Sequence, residues 1–395
     1  MILEYIYADN SRQKVDLELN IQTTKKWIHI NKKNKFEFIK EFLPLYFSGQ
    51  RIVLFDANHT QLLKFYQEND INNIALVDEV SVEHNLLFFT SGSSGFPIGA
   101  FKSKKNIEQE VLVLKKLVDK FQIKKVVVSV PFVHIYGVIA GLILPMYLDD
   151  VELIVKDDFL PYELLQESNN KYTLVITTPV FIKALSKTGD TRDLSTNLFI
   201  CSTGPLHVDD ISVFENKFNT NIMQIFGSTE TGGIAYKFSS HEKWSGLDNV
   251  EISTCKDKLS INSPFVSQYI LNEHIVELEK PFVTEDIVEL AGNKFSLLGR
   301  GNKIIKIAGK RISALQIESI LEEIDNVSKA LVELVYKKEL LRSEQILITL
   351  EASQKIEKKL IKKKILQYYG VLSIPFSVQY VDTIKYSAMG KKILF

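Results

Sequence analysis

The sequence predicts an α/β protein: a large N-terminal domain of layered sheets and helices, followed by a small α+β domain. Three observations carry this expectation. The chain has 395 residues and 45% hydrophobic content, enough for one large core and an appended smaller one. Short apolar, β-branched runs alternate with helical patterns from Phe36 to Ser202, the order of a layered α/β sheet. After Pro264 that alternation gives way to hairpin-like strands and a compact helix–strand unit.

The elements follow in order. Apolar spacing predicts a helix over 36–46, a short buried strand over 51–56 (RIVLFD) and a second helix over 61–68. Strand-like runs at 86–90, 125–130, 151–155, 174–177 and 198–202, with helical stretches between most of them, suit a doubly wound sheet. The run 126–148 (VVVSVPFVHIYGVIAGLILPMYL) has the length of a membrane span, about 20 residues. Pro131 and Pro145 break it and His134 sits inside it, so a buried strand followed by a buried helix is predicted instead of a span. Beyond Pro264, strands over 282–289 and 294–298 flank Ala-Gly-Asn at 291–293, a hairpin connection. Ser313 with Gln316 forms a capping box for a helix over 314–324. Strands over 330–336, 345–350 and 376–381 and a basic helix over 355–369 complete the α+β domain. The boundary is expected at 300–302, giving domains 1–299 and 303–395.

Charge and cysteine usage exclude whole classes. The 48 basic and 48 acidic residues cancel, whereas a protein held to nucleic acid by counterion release carries a basic excess. No nucleic-acid partner is expected. The cancellation is uneven, because residues 303–395 hold 17 Lys and Arg against 10 Asp and Glu, leaving the rest of the chain with an acidic excess of seven. A basic C-terminal domain suits a polyphosphate ligand or an acidic protein partner. Cys201 and Cys255 lie far apart, and the opening Met-Ile-Leu-Glu lacks a basic n-region, so a reduced, cytoplasmic setting is expected.

Three segments carry candidate chemistry. Residues 88–99 (FFTSGSSGFPIG) read as a strand opening into hydroxyls and glycines. Such a loop aims backbone N–H groups and hydroxyls at phosphate oxygens, although no Gly-Lys-Ser/Thr follows as a Walker loop requires. A flexible surface turn is the alternative. Residues 224–233 (QIFGSTETGG) place Glu230 on a tight turn after a strand, where a carboxylate could hold Mg²⁺ or simply be a solvated acid. Thr284-Glu-Asp286 and Gly299-Arg300 offer an acid for ribose hydroxyls and an arginine for a phosphate.

Together these segments resemble the adenylate-forming superfamily: acyl- and aryl-CoA synthetases, peptide-synthetase adenylation domains and luciferases. The resemblance covers about residues 86–391, with the signatures in family order. TSGSSGFPIG is similar to the phosphate loop, PFVHIYG (131–137) to the motif beside the acyl pocket, and STGPL (202–206) to the adenine-side loop. FGSTE (226–230) is similar to the aromatic-Gly-x-Thr-Glu motif, LLGRGNKIIKIAGKRI (297–312) to the hinge and start of a mobile lid, and Met389-Gly-Lys391 to the catalytic-lysine segment.

The resemblance implies ATP-dependent formation of an acyl-adenylate, then transfer to the thiol of coenzyme A or of a carrier protein's phosphopantetheine, any carrier acting in trans. It implies that Thr90, Ser91, Gly92, Ser93, Ser94 and Gly95 hold the β- and γ-phosphates. Thr203, Gly204 and Pro205 would line the adenine side, where Phe226 would lie against the base, with Gly227 and Ser228 also binding the nucleotide. Thr229 would meet the α-phosphate, Glu230 the Mg²⁺ and Asp286 the ribose. Arg300 and Lys306 would lie on the ribose or phosphate side, with Asn302 as the hinge. Lys391 would bridge the acyl carboxylate and the α-phosphate, and His134 would border the acyl pocket.

Three departures stand out. Ile98 replaces the lysine usual in the phosphate loop, Asn302 replaces the usual Asp or Lys, and the regions before the phosphate loop and between Glu230 and Thr284 are short. The retained Glu230, Asp286, Arg300 and Lys391 favour an active ligase. The rival class is a non-catalytic or regulatory nucleotide- or acyl-binding protein on a degenerate adenylating fold. The PFVHIYG segment offers no Asp to pair with an α-ammonium, so an aryl or fatty acid is expected over an amino acid. Gly232, Gly233 and Ile234 are expected to line part of its pocket.

Overall fold

The computed structural model describes residues 2–15, 23, 26–32, 34–54, 80–81, 83–90, 98–169, 172–204, 206, 208–238, 242–272, 274–300, 304–307, 310–336, 344–369, 376–386 and 392–393. Contacts divide the chain into two units, the first comprising Met1–Ile252 with Ile261–Phe282 and the second Ser253–Ser260 with Val283–Phe395. Residues 283–300 of the hairpin, expected in the large domain, therefore group with the C-terminal unit. The helix expected over 61–68 lies outside the described residues.

In the first unit nine strands hydrogen-bond in the order Trp244–Gly246, Gly232–Lys237, Asn221–Ser228, Leu198–Cys201, Thr173–Thr177, Lys125–Val128, Glu152–Lys156, Ile2–Ile6, Arg12–Lys14. The six from Asn221–Ser228 to Ile2–Ile6 run parallel. Their buried Val127, Ile154, Val175, Phe199 and Ile222 pack against Leu164, Leu185, Ile211, Phe214 and Phe218 of the crossover helices. Such apolar-rich strands are what a sheet covered on its faces requires.

The run 86–90 does not join this sheet. Leu86–Thr90 lies in a six-stranded sheet, parallel to Ile52–Leu54 and antiparallel to Ile98–Lys102, the next described strand, which pairs beside it with no crossover helix between. Helix Lys104–Val118 follows at once. Ser103 caps it in a reciprocal box with Asn106, and Ile107, Val111, Leu114 and Val118 form its buried stripe. Helix Lys35–Ser48 starts at Asn34, ends at left-handed Gly49, and stacks Phe38, Phe42 and Tyr46 one turn apart.

The apolar run 126–148 resolves into strand Lys125–Val128, a turn, a buried π-helix Gly137–Ile143 and helix Leu144–Tyr147. No helix among the described residues is long and apolar enough to cross a membrane.

In the second unit, Phe282–Ala291 and Lys294–Arg300 form an antiparallel hairpin turning at left-handed Gly292. Strand Ile304–Ile307 pairs with Lys310–Ser313. Strand Val327–Tyr336 is antiparallel to Glu344–Ala352, which runs parallel to Phe376–Val381 through the crossover helix Lys358–Tyr369. With helix Ala314–Glu322 these enclose Ile317, Leu321, Val332, Ile348 and Ile361, an α+β core.

Candidate active site

The parallel sheet changes direction at Lys125–Val128. The chain goes next to Glu152–Lys156 on one side and then crosses to Thr173–Thr177 on the other. Loops at the carboxyl ends of strands diverge at such a switch point and leave a crevice for ligands. The PFVHIYG segment leaves from this point. Half-buried Tyr136 turns its hydroxyl inward to the Ile200 carbonyl at 2.8 Å, with the Thr177 carbonyl at 3.1 Å, tying the segment to two strand ends. That burial holds the phenol well above its ordinary pKa. Ser129 donates to the Ile176 carbonyl at 3.1 Å. A Cβ on Gly137 would overlap the Pro131 carbonyl, so only glycine closes this turn. His134, half-buried, sits within it.

The 202–204 segment leaves the carboxyl end of Leu198–Cys201, one strand further along. Ser202 donates to the Ile225 carbonyl at 2.9 Å, joining it to the FGSTE strand. Thr203, exposed, has a φ of 80°, a conformation costly for a β-branched residue, and Gly204 beside it is exposed. Phe226 to Ser228 end the strand Asn221–Ser228, which turns through Thr229 and Glu230 into Gly232–Lys237 with a register shift at Phe226/Gly227. A Cβ on Gly227 would overlap the Gly232 carbonyl oxygen. The turn is closed by Thr231, whose hydroxyl accepts from the Ser228 N–H at 2.9 Å while its own N–H donates to the Ser228 hydroxyl at 3.2 Å. Thr229 and Glu230 are half-buried. Phe226 packs on Trp244 with ring centroids 5.4 Å apart, a neighbour the sequence reading missed.

In the second unit Asp286 is 5% exposed and lies opposite Arg300 in the hairpin register. Its N–H donates to the Thr284 hydroxyl at 3.1 Å. Lys306 lies opposite Arg311 in an antiparallel pair, and in the first unit Thr90 lies opposite Ile98. Ser91, Gly92, Ser93, Ser94, Gly95, Pro205, Asn302 and Lys391 lie outside the described residues.

Sequence reasoning also missed Lys102 and Glu110. Lys102 donates to the carbonyls of Glu230 at 3.0 Å and Phe265 at 2.5 Å, and Glu110 accepts from the Gly233 N–H at 2.9 Å. Burial pushes the Glu110 carboxyl up and the Lys102 ammonium down, each opposed by the other's charge. Among the described residues no three His, Cys, Asp or Glu side chains cluster as a metal cage. Mg²⁺ bound to a nucleotide needs no such cage, because one carboxylate with water and phosphate oxygens completes its shell.

A family model for AMP-binding enzymes matches residues 49–262, more than half of the chain. The chain belongs to the AMP-binding enzyme family. This AMP-binding enzyme is 23% identical over 371 residues to VraA of Staphylococcus aureus strain COL, named as a candidate long chain fatty acid-CoA ligase, across 84% of the chain and 78% of that protein. It is 21% identical over 272 residues to the 3,4-dihydroxybenzoate–[aryl-carrier protein] ligase of Bacillus anthracis, across 68% of the chain and 63% of that protein. Among solved structures, o-succinylbenzoate CoA synthetase (MenE) of Bacillus subtilis with its acyl-adenylate superimposes with a TM-score of 0.81 at 15% identity, over 99% of the chain and 94% of that one. ATP-bound MatB of Rhodopseudomonas palustris follows with a TM-score of 0.76 at 16% identity, over 98% and 93%. These likenesses show the adenylate-forming fold.

Proposed function

We propose that this AMP-binding enzyme joins a carboxylic acid to ATP as an acyl-adenylate and then transfers the acyl group to a thiol. The observation that carries the reading is the convergence of the 131–137, 202–204 and 226–230 segments at neighbouring carboxyl ends of the parallel strands, joined through Tyr136 and Ser202. An acid would lie along the first segment and adenine along the other two. The acid is aryl or fatty, because an ammonium beside the apolar 131–137 segment would be desolvated without a partner. The fatty-acid and aryl-carrier names of the two relatives point to the same pair of classes.

In the first step a carboxylate oxygen attacks the α-phosphorus, and the bond to the bridging oxygen breaks to release pyrophosphate. The protein's part is positioning and charge stabilisation rather than covalent catalysis. Thr229 and Lys391 bond the α-phosphate oxygens as charge builds, the 90–95 loop holds the departing phosphates, and Asp286 orients the ribose, with Arg300 and Lys306 on the ribose or phosphate side. Glu230 would hold Mg²⁺, which supplies charge neutralisation on the phosphates. In the second step a thiolate attacks the acyl carbon and AMP leaves. A turn about Asn302 moves the lid, residues 303–395, between the two steps. The acceptor is coenzyme A or a carrier protein supplied in trans, and the setting is cytoplasmic.

Acid-dependent exchange of pyrophosphate into ATP, run across a panel of aryl and fatty acids, tests this directly. Exchange with at least one acid is expected. Folded protein that binds ATP and exchanges with none would establish the non-catalytic alternative, which rests on Ile98 standing where a phosphate-side lysine is usual.

A further inference from the structure

A buried lysine and a buried glutamate tie the segment over 98–110 to the turn bearing Glu230. Lys102, 1% exposed, ends the strand Ile98–Lys102 that returns from the phosphate loop, and Glu110, 6% exposed, lies two turns into the helix that follows. Their partners are backbone groups of the turn bearing Glu230. The Lys102 ammonium donates to the Glu230 carbonyl at 3.0 Å, which also accepts from the Ser267 N–H at 2.8 Å. The Glu110 carboxylate accepts from the Gly233 N–H at 2.9 Å. The glycines of the turn make room for it: a Cβ on left-handed Gly232 would stand 2.5 Å from one Glu110 oxygen, and a Cβ on Gly233 would stand 3.0 Å from the other.

Burying two such charges is a poor way to gain stability, because desolvating each ion costs several kcal/mol and apolar side chains of similar volume often do better. What this pair supplies is geometry. It fixes one carbonyl and one amide, three residues apart, on either side of the turn's end. Both anchors come from chain segments that immediately follow the phosphate loop.

We propose that Lys102 and Glu110 are positioning residues that hold the Glu230 turn in the geometry at which Glu230 meets the Mg²⁺ of a bound triphosphate. The inference rests on the nucleotide reading of Glu230 given above. Neither residue touches the ligand. They act as outer-shell supports, whose loss typically costs about 10–100-fold in metal affinity.

The test uses Lys102→Met, Glu110→Leu, the double variant carrying both changes, and Glu110→Gln, which keeps an acceptor for the Gly233 N–H. Calorimetric titration of ATP is repeated over a Mg²⁺ series, and amide exchange at 228–233 is followed in metal-free protein. Each loss variant should need at least about 10-fold more Mg²⁺ for half-maximal ATP binding. Amide exchange should accelerate at 228–233 beyond the rest of the first unit, and Glu110→Gln should restore most of both properties. A double variant that folds, binds ATP with the unaltered Mg²⁺ midpoint and keeps its 228–233 amides protected would overturn the proposal, whatever its melting temperature. Unaltered protein that binds no ATP at any Mg²⁺ concentration would instead sink the nucleotide reading itself.

Discussion

The turn over 228–233 and the hairpin of Phe282–Ala291 with Lys294–Arg300 both carry residues assigned to the nucleotide, and they are held by opposite means. In the turn, backbone groups of Ser228, Glu230, Thr231 and Gly233 each have a side-chain partner, two of them buried charges from elsewhere in the chain. In the hairpin, position follows from ladder register and alternation. Thr284 and Asp286 are 7% and 5% exposed, while Val283 and Glu285 between and before them face outward. The turn should therefore fail under a small change of volume, whereas the hairpin should tolerate anything that respects its inward face.

The largest effect is expected at Gly227→Ala. The new Cβ would overlap the Gly232 carbonyl, and backbone cannot step aside as a flexible side chain can. A loss of more than about 3 kcal/mol in denaturant unfolding is expected, with ATP binding abolished. A change below about 1 kcal/mol would show the turn to be far looser than its contacts imply. Asp286→Ala comes next and should act on binding. Losing a carboxylate that accepts from ribose hydroxyls removes about 1.5–3 kcal/mol, so ATP affinity should fall about 10- to 100-fold by calorimetry. An unchanged affinity would remove Asp286 from the site.

The same contrast decides what was legible in the sequence. The hairpin was, because a turn at 291–293 and period-two alternation are local signals, but counting outward from them places Asp286 opposite Gly299, and only the bulge at Ile287/Val288 brings it opposite Arg300. The FGSTE turn was legible as a motif, but its supports were not. Lys102 reaches Glu230 across 128 residues and Glu110 reaches Gly233 across 123. In the run Lys102-Ser-Lys-Lys105 nothing separates the buried lysine from its half-buried or exposed neighbours. The π-helix Gly137–Ile143 was invisible for another reason. All seven residues are buried, so hydrophobic period carries no information about which helix winds there. The six-stranded sheet was missed because an antiparallel partner, Ile98–Lys102, follows a loop that was read for its chemistry rather than its pairing.

A smaller effect tests strain within the first unit. Thr203 holds a φ of 80°, which costs a β-branched residue about 1–3 kcal/mol. Thr203→Gly relieves this but loses about 0.5–1 kcal/mol to the freer unfolded chain, so a net gain of about 1 kcal/mol in stability is expected. If the threonine is kept to shape the adenine-side loop, ATP affinity should drop while the melting temperature rises. A destabilised variant would mean that contacts of the threonine side chain outweigh its backbone cost.

The smallest effect separates the two faces of the hairpin. Glu285 lies between Thr284 and Asp286 in the sequence, yet it points outward and pairs with Lys258 at 2.7 Å, the two side chains being 59% and 36% exposed. Exposed pairs of this kind contribute about 0.2–1 kcal/mol and are screened by salt. Glu285→Gln should therefore shift unfolding by less than about 1 kcal/mol, with the shift shrinking at high salt, and should leave ATP affinity within about two-fold of the unaltered protein. Set beside Asp286→Ala, this measures alternation directly, because two acids adjacent in the chain differ only in the face they present. If Glu285→Gln weakened ATP binding as much as Asp286→Ala, register could not be what places the ribose acid, and the hairpin would have to be reorganised when nucleotide binds.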